Sequence, residues 1–83
     1  MRMTVREFKV QYALGTLSQD KIMRLAKNIS TARGILTILS RSEDQRIRCC
    51  VAKNINLRFK DLMRLREDKM FLVREAANRG ITF

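Results

Sequence analysis

Leu25-Ala26-Lys27-Asn28-Ile29 returns almost unchanged as Val51-Ala52-Lys53-Asn54-Ile55, each position shifted by the same step along the chain. A third echo, Ala76-Ala77-Asn78, follows near the end. Self-similarity at a period of roughly 20–50 residues marks stacked supersecondary units, because one unit cannot bury its apolar face without a neighbour. Stacks of this kind offer extended surfaces for binding rather than clefts for chemistry.

Outward from this segment, apolar residues recur at spacings of three and four, the period of a helix with one buried face. Val5, Phe8, Tyr12 and then Leu14 or Gly15 form one such stripe, and Ile22, Leu25, Ala26 and Ile29 the next. Ile35, Leu36 and Leu39 follow behind the candidate caps Ser30 and Thr31. Ser42-Glu43-Asp44-Gln45 reads as a capping box, with Ser42 at the N-cap and Gln45 at N3. It opens a stripe of Ile47, Cys50, Val51 and Asn54. Asn56 can cap a further helix through Phe59, Leu62, Met63 and Arg66, and Asp68 a last one through Phe71, Leu72, Glu75 and Ala76. Gly80 fits the C′ position beyond it, with Ile81 as the hydrophobic contact. The expected fold is all-α: a short helical-repeat array of about six helices of about 9–13 residues, in three helix pairs within one domain spanning residues 1–83.

The units carry a common pattern. Glu43-Asp44 precedes Ile47-Arg48-Cys49-Cys50-Val51-Ala52-Lys53-Asn54, and Glu67-Asp68 precedes Val73-Arg74-Glu75-Ala76-Ala77-Asn78. Leu25-Ala26-Lys27-Asn28 is followed by Thr31. This unit resembles the leucine-rich variant repeat, a relative of the HEAT and armadillo helical repeats, over roughly residues 14–80. Isoleucine stands at 29 and 55 where that family places proline, and the acidic pair recurs slightly sooner than the quoted segment does. The resemblance implies a right-handed stack of short helices used for binding; some HEAT-like relatives bind nucleic acid along a basic concave face. It also implies that Arg48 and Arg74 tie neighbouring units together by pairing with acids such as Asp44 and Asp68.

Composition narrows the function classes. The chain has 83 residues, 46% of them hydrophobic, which is ample for a globular core. Apolar runs stop at four residues, as in Cys49-Cys50-Val51-Ala52, so nothing spans a bilayer. Arg6, Glu7 and Lys9 interrupt the N-terminus before a signal-peptide core forms, and the reading is a complete cytoplasmic protein. Adjacent helical side chains diverge by about 100°, so Cys49 and Cys50 are read as reduced, ordinary helix residues with at least one buried. With no histidine and three dispersed glycines, the chain lacks the commonest general base, a zinc set and a phosphate-cradling loop. No enzyme, cofactor or metal is expected. The acidic pairs suit helix N-termini, where negative charge is favoured.

Charge supplies the positive expectation. Eighteen Lys and Arg stand against 8 Asp and Glu, a net charge of +10, and 12 of the 18 are Arg. Self-repulsion makes such an excess costly, so an acidic partner is expected, nucleic acid first and RNA ahead of DNA. Equivalent slots should align along one edge of a stack. Lys27 and Lys53 precede the recurring Asn, and Arg79 follows its third copy. Arg33 and Arg58 follow candidate caps, Lys60 and Arg64 form an i,i+4 pair, and Arg24 joins them, with Arg41 and Arg46 as additions. Asn28, Asn54 and Asn78 are read as helix-end caps. Tyr12, Phe59 and Phe71 are assigned to core stripes, Phe8 to partial exposure, and Phe83 to a stacking contact. A second expectation is a protein-binding inhibitor or adaptor docking on an acidic or RNA-associated partner, in the style of a phage accessory protein. A third is a homo-oligomer joined through open stack ends.

Overall fold

The computed structural model describes residues 3–79, and the roles expected of Gly80, Ile81 and Phe83 lie outside the described residues. Among the described residues the chain is all-helical, with six helices and no strand. They are α1 (Val5–Leu14), α2 (Gln19–Lys27), α3 (Arg33–Leu39), α4 (Gln45–Ala52), α5 (Phe59–Leu65) and α6 (Phe71–Arg79). Their lengths run from 7 to 10 residues: α1, α2 and α6 fall within the expected span, and α3, α4 and α5 are shorter. Helices this short depend on packing for their stability.

Local chemistry sets the ends. The Thr4 hydroxyl accepts from the Glu7 N–H while the Glu7 carboxylate accepts from the Thr4 N–H, a capping box at α1. Gly15 closes that helix in the left-handed region at φ 70°, donating its N–H to carbonyls of the last turn. The Ser18 hydroxyl caps α2 by accepting from the Lys21 N–H. At α4 the N-cap is Asp44, not Ser42: Asp44 accepts from the Arg46 N–H, and Ser42 sits earlier, accepting from the Asp44 N–H. Neither α3 nor α5 has a side-chain cap, and their N-cap positions are Ala32 and Arg58. The expected caps serve elsewhere. Thr31 donates to the Leu25 carbonyl, Asn56 donates to the Thr31 carbonyl, and Ser30 donates its N–H to Asn28. Asp68 precedes α6 by three residues and accepts from the Met70 N–H.

The helices begin in phase. α2, α4 and α6 start at residues 19, 45 and 71, and α3 and α5 at 33 and 59, in equal steps throughout. α4 packs between α2 and α6 and also touches α3 and α5, while α1 packs on α3 and α5 on α6. Their inward stripes meet in one core that includes Phe8, Ile22, Ile35, Leu36, Leu39, Ile47, Val51, Leu65, Val73 and Ala77. α1 and α3 approach closely at Gly34, where a Cβ would stand 2.9 Å from Val5 Cγ2.

Several side chains sit differently from their assignment. Phe8 is fully buried and stacks on Tyr12, which is itself exposed. Phe59 and Phe71 are exposed rather than core, as are Leu14, Ile29, Met63 and Leu72. In α6 the buried positions are Val73, Ala76 and Ala77. Neither cysteine is buried; both are half-exposed free thiols.

Polar side chains join the helices across the chain. Asn54, buried between helix ends, donates its amide to the carbonyls of Ala26 and Asn28 at the end of α2. It therefore fastens α2 from outside, whereas Asn28 turns its own loop. Arg48 is buried and binds Asp68 at 2.9 Å rather than Asp44, and also donates to the Ser42 carbonyl. Arg74 makes the equivalent bond one step later, to the Asp68 carbonyl, and among the described residues it pairs with no carboxylate.

Candidate functional site

The cations fall into several groups, and Arg33, Arg66 and Arg74 hydrogen-bond to uncharged oxygens. Arg46, Arg48 and Arg64 form the ion pairs among the described residues, with Asp44, Asp68 and Asp61. Lys27, Lys53 and Arg79 form none, nor any side-chain hydrogen bond, among the described residues. These three are the last residue of α2, the residue closing α4 and the last residue of α6. All three are exposed. The helix C-terminus carries partial negative charge from its unpaired carbonyls, which favours a cation there.

Two shallow grooves flank Lys53. One, about 250 Å3, lies between α2 and α4 and is lined by Lys27, Ile29, Cys50, Lys53 and Asn54. The other, about 370 Å3, lies between α4 and α6 and is lined by Cys49, Lys53, Phe71, Leu72, Ala76 and Arg79, with Glu75 on its wall. Adjacent cysteines diverge around the helix, so each thiol faces a different groove. Lys53 stands on the ridge between them. Neighbouring helix axes lie about 8–10 Å apart, so the row of three cations extends about 20 Å.

Of the eight residues proposed from sequence, the grooves gather Lys27, Lys53 and Arg79. Arg33 is exposed and donates through Nε to Asn56. Arg64 is turned inward, binding Asp61 at 3.1 Å and the Ser40 hydroxyl. Arg24 on α2, Arg58 at the start of α5 and Lys60 on α5 are exposed and line neither groove. The i,i+4 pairing of Lys60 with Arg64 thus does not make a joint cationic patch, because Asp61 and Ser40 take Arg64 away. Of the two additions, Arg41 is exposed and Arg46 is held by Asp44.

Reading the last stripe as core misses Phe71 and Leu72 as surface residues, although a signal for them exists. Shifted back by the step between the starts of α4 and α6, they fall on Gln45 and Arg46, and shifted back again on Gln19 and Asp20. Phe59 likewise occupies the slot of Arg33. Apolar side chains standing where other copies are polar are not required by packing. Phe71 is 61% exposed and Leu72 64%. The Arg74 guanidinium lies 5.9 Å from the centroid of the Phe71 ring and is itself anchored on the Asp68 carbonyl.

Local electrostatics follow the same geometry. Hydrogen bonds from the Arg46 side chain and N–H hold the Asp44 carboxyl below its ordinary value. Burial opposes ionisation of Asp68, but the Met70 N–H and Arg48 outweigh it and keep its carboxyl lowered. Burial pushes the Cys49 thiol up, against the pull of Lys53. Among the described residues no cluster of three metal-ligating side chains is present, and no helix is long and apolar enough to cross a membrane. Comparison with protein-family models, curated protein sequences and solved structures finds no match for the chain.

Proposed function

We propose that this protein binds nucleic acid, RNA ahead of DNA, through phosphate contacts with low sequence preference. The proposal takes the chain as a short helical-repeat array of the HEAT-like kind, in which a common phase carries equivalent side chains to equivalent helix ends. The observation that carries it is the row Lys27, Lys53 and Arg79, three exposed cations beside two grooves, without protein partners among the described residues. Arg48 and Arg64 are bonded to acids and Arg33 and Arg74 to neutral oxygens, whereas these three have no hydrogen-bonded or ion-paired side-chain partner among the described residues. A net charge of +10 reinforces their attraction for a polyanion.

Three neutralised phosphates on a single strand correspond to a slope near −2 for log affinity against log salt. Affinity for a single-stranded RNA oligonucleotide should therefore fall by about 20-fold between about 50 and 200 mM salt. Replacing Lys27, Lys53 and Arg79 by Gln should remove most of that dependence. Binding that is indifferent to salt, or to the triple replacement, overturns the reading. A DNA oligonucleotide of the same sequence tests the RNA preference, which rests on the suitability of unpaired RNA segments for a small curved surface.

A specific observation favours a second reading, docking on an acidic protein partner as an inhibitor or adaptor. Ile29 and Ile55, equivalent positions beside the cation row, are 58% and 83% exposed. A partner retained after nuclease treatment, and lost on replacing both isoleucines by Ser, is the outcome that would decide for it.

A further inference from the structure

We infer that the groove between α4 and α6 seats an unpaired base of a single strand, with Phe71 and Leu72 as its apolar floor and Lys53 and Arg79 holding the flanking phosphates. This rests on the nucleic-acid reading above and narrows it to single strands.

A surface meant only for phosphates needs donors and positive charge; it gains nothing from exposed Phe71 and Leu72. A duplex turns phosphates and sugars outward and hides its base faces, so it cannot cover an apolar floor. An unpaired base has a flat apolar face and lies within one backbone link of a phosphate, matching the side-by-side placement of ring and cation. The groove volume of about 370 Å3 falls within the range of small-ligand sites.

The floor is also supported. Arg74 lies 5.9 Å from the Phe71 ring centroid and is bonded to the Asp68 carbonyl, a cation–π contact that favours the ring's position at the groove. Glu75, the acid on the wall, repels phosphate from the groove interior and leaves the anion to Lys53 and Arg79. Its carboxylate is an acceptor for a base N–H. The smaller groove at Lys27 and Ile29 has no aromatic floor, so the two grooves are unequal along the row.

The test compares a single-stranded oligouridylate of about ten nucleotides, within the length such sites span, with the same strand paired to its complement at one salt concentration. The single strand should bind about tenfold more tightly than the duplex. Phe71→Ala should lower single-strand affinity by about tenfold, leave duplex affinity unchanged and preserve the helical circular dichroism signal. Leu72→Ala should give a smaller loss of the same kind. Phe59→Ala removes an equally exposed ring that lines neither groove and should change nothing. In the unaltered protein, the bound strand should slow alkylation of Cys49, which faces the groove. Equal affinity for strand and duplex, equal effects of Phe59→Ala and Phe71→Ala, or unprotected Cys49 overturns the base seat while leaving phosphate binding intact. Failure of both strand and duplex to bind overturns the nucleic-acid reading and the seat with it.

Discussion

The arginines on the inner seams and the cations at the ends of α2, α4 and α6 are similar in the sequence and opposite in the structure. Arg48 and Arg64 reach inward to Asp68 and Asp61, and Asp61 also accepts from the Thr37 hydroxyl at 2.6 Å. At the helix ends, Lys27, Lys53 and Arg79 form no ion pair among the described residues, although Glu75 lines the same groove as Lys53 and Arg79. The difference shows how one chain uses its charge in two ways. Arg48 and Arg64 spend their charge on carboxylates of the fold, whereas Lys27, Lys53 and Arg79 form no ion pair among the described residues and keep theirs for a partner.

The largest expected effect comes from the inner seam. The Arg48 and Asp68 side chains are only 8% and 10% exposed, so Arg48→Ala strands a carboxylate in the interior. Denaturant unfolding should register a loss of about 3–5 kcal/mol, enough to unfold much of a marginal domain. The loss should depend on pH. Asp68 is held below its ordinary value of 3.8, so its contribution is fully present above about pH 4 and disappears as pH falls through the lowered folded value. Unaltered and Asp68→Asn proteins should converge in stability on acidification; a gap that widens would contradict the pairing.

A smaller effect separates the two copies of the quoted segment. Asn54→Ala leaves the Ala26 and Asn28 carbonyls without their amide and should cost about 1–3 kcal/mol. Asn28→Ala removes one exposed bond to the Ser30 N–H and should cost about 0.5–1 kcal/mol. Equal losses would mean that the recurring Asn does the same work in both places. The smallest effect belongs to the exposed row. Replacing Lys27, Lys53 or Arg79 singly by Gln should shift stability by no more than about 0.5 kcal/mol, while binding suffers when all three are replaced. A stability loss comparable to that of Arg48→Ala would erase the division between fasteners and free charge.

Much of this architecture is legible before any coordinate. The recurrence of Lys27-Asn28 as Lys53-Asn54 locates two helix ends and two members of the row, and the spacings of Ile35, Leu36, Leu39, Ile47 and Val51 identify core faces. The last helix is less readable. The acidic pair at positions 67 and 68 follows its earlier copy at 43 and 44 sooner than Val73-Arg74 follows Ile47-Arg48, so the two markers disagree about where the last helix begins. Phe71 and Leu72 then look like core, since hydrophobicity alone cannot distinguish a packing residue from an exposed binding residue. Holding strictly to the step that relates Lys27 to Lys53 aligns Asp68 with Ser42 instead, and both carbonyls do accept from an arginine six residues later. Partner choice is hidden for a different reason. Arg48 has Asp44 one helical turn before it, yet binds Asp68 across the fold, because Asp44 is already occupied by Arg46 and Gln19.

The side-chain bonds that couple successive helix pairs, from Arg48 with Asp68 to Asn54 with the Ala26 carbonyl, reach across between 20 and 28 residues. No such link waits for the two ends of the polypeptide to find each other. Low sequence separation between contacting residues goes with rapid acquisition of structure in helical proteins, in roughly microseconds to milliseconds. The tie from Asn54 back to the end of α2 needs neither α5 nor α6, so the chain up to Asn54 holds all the residues that it joins.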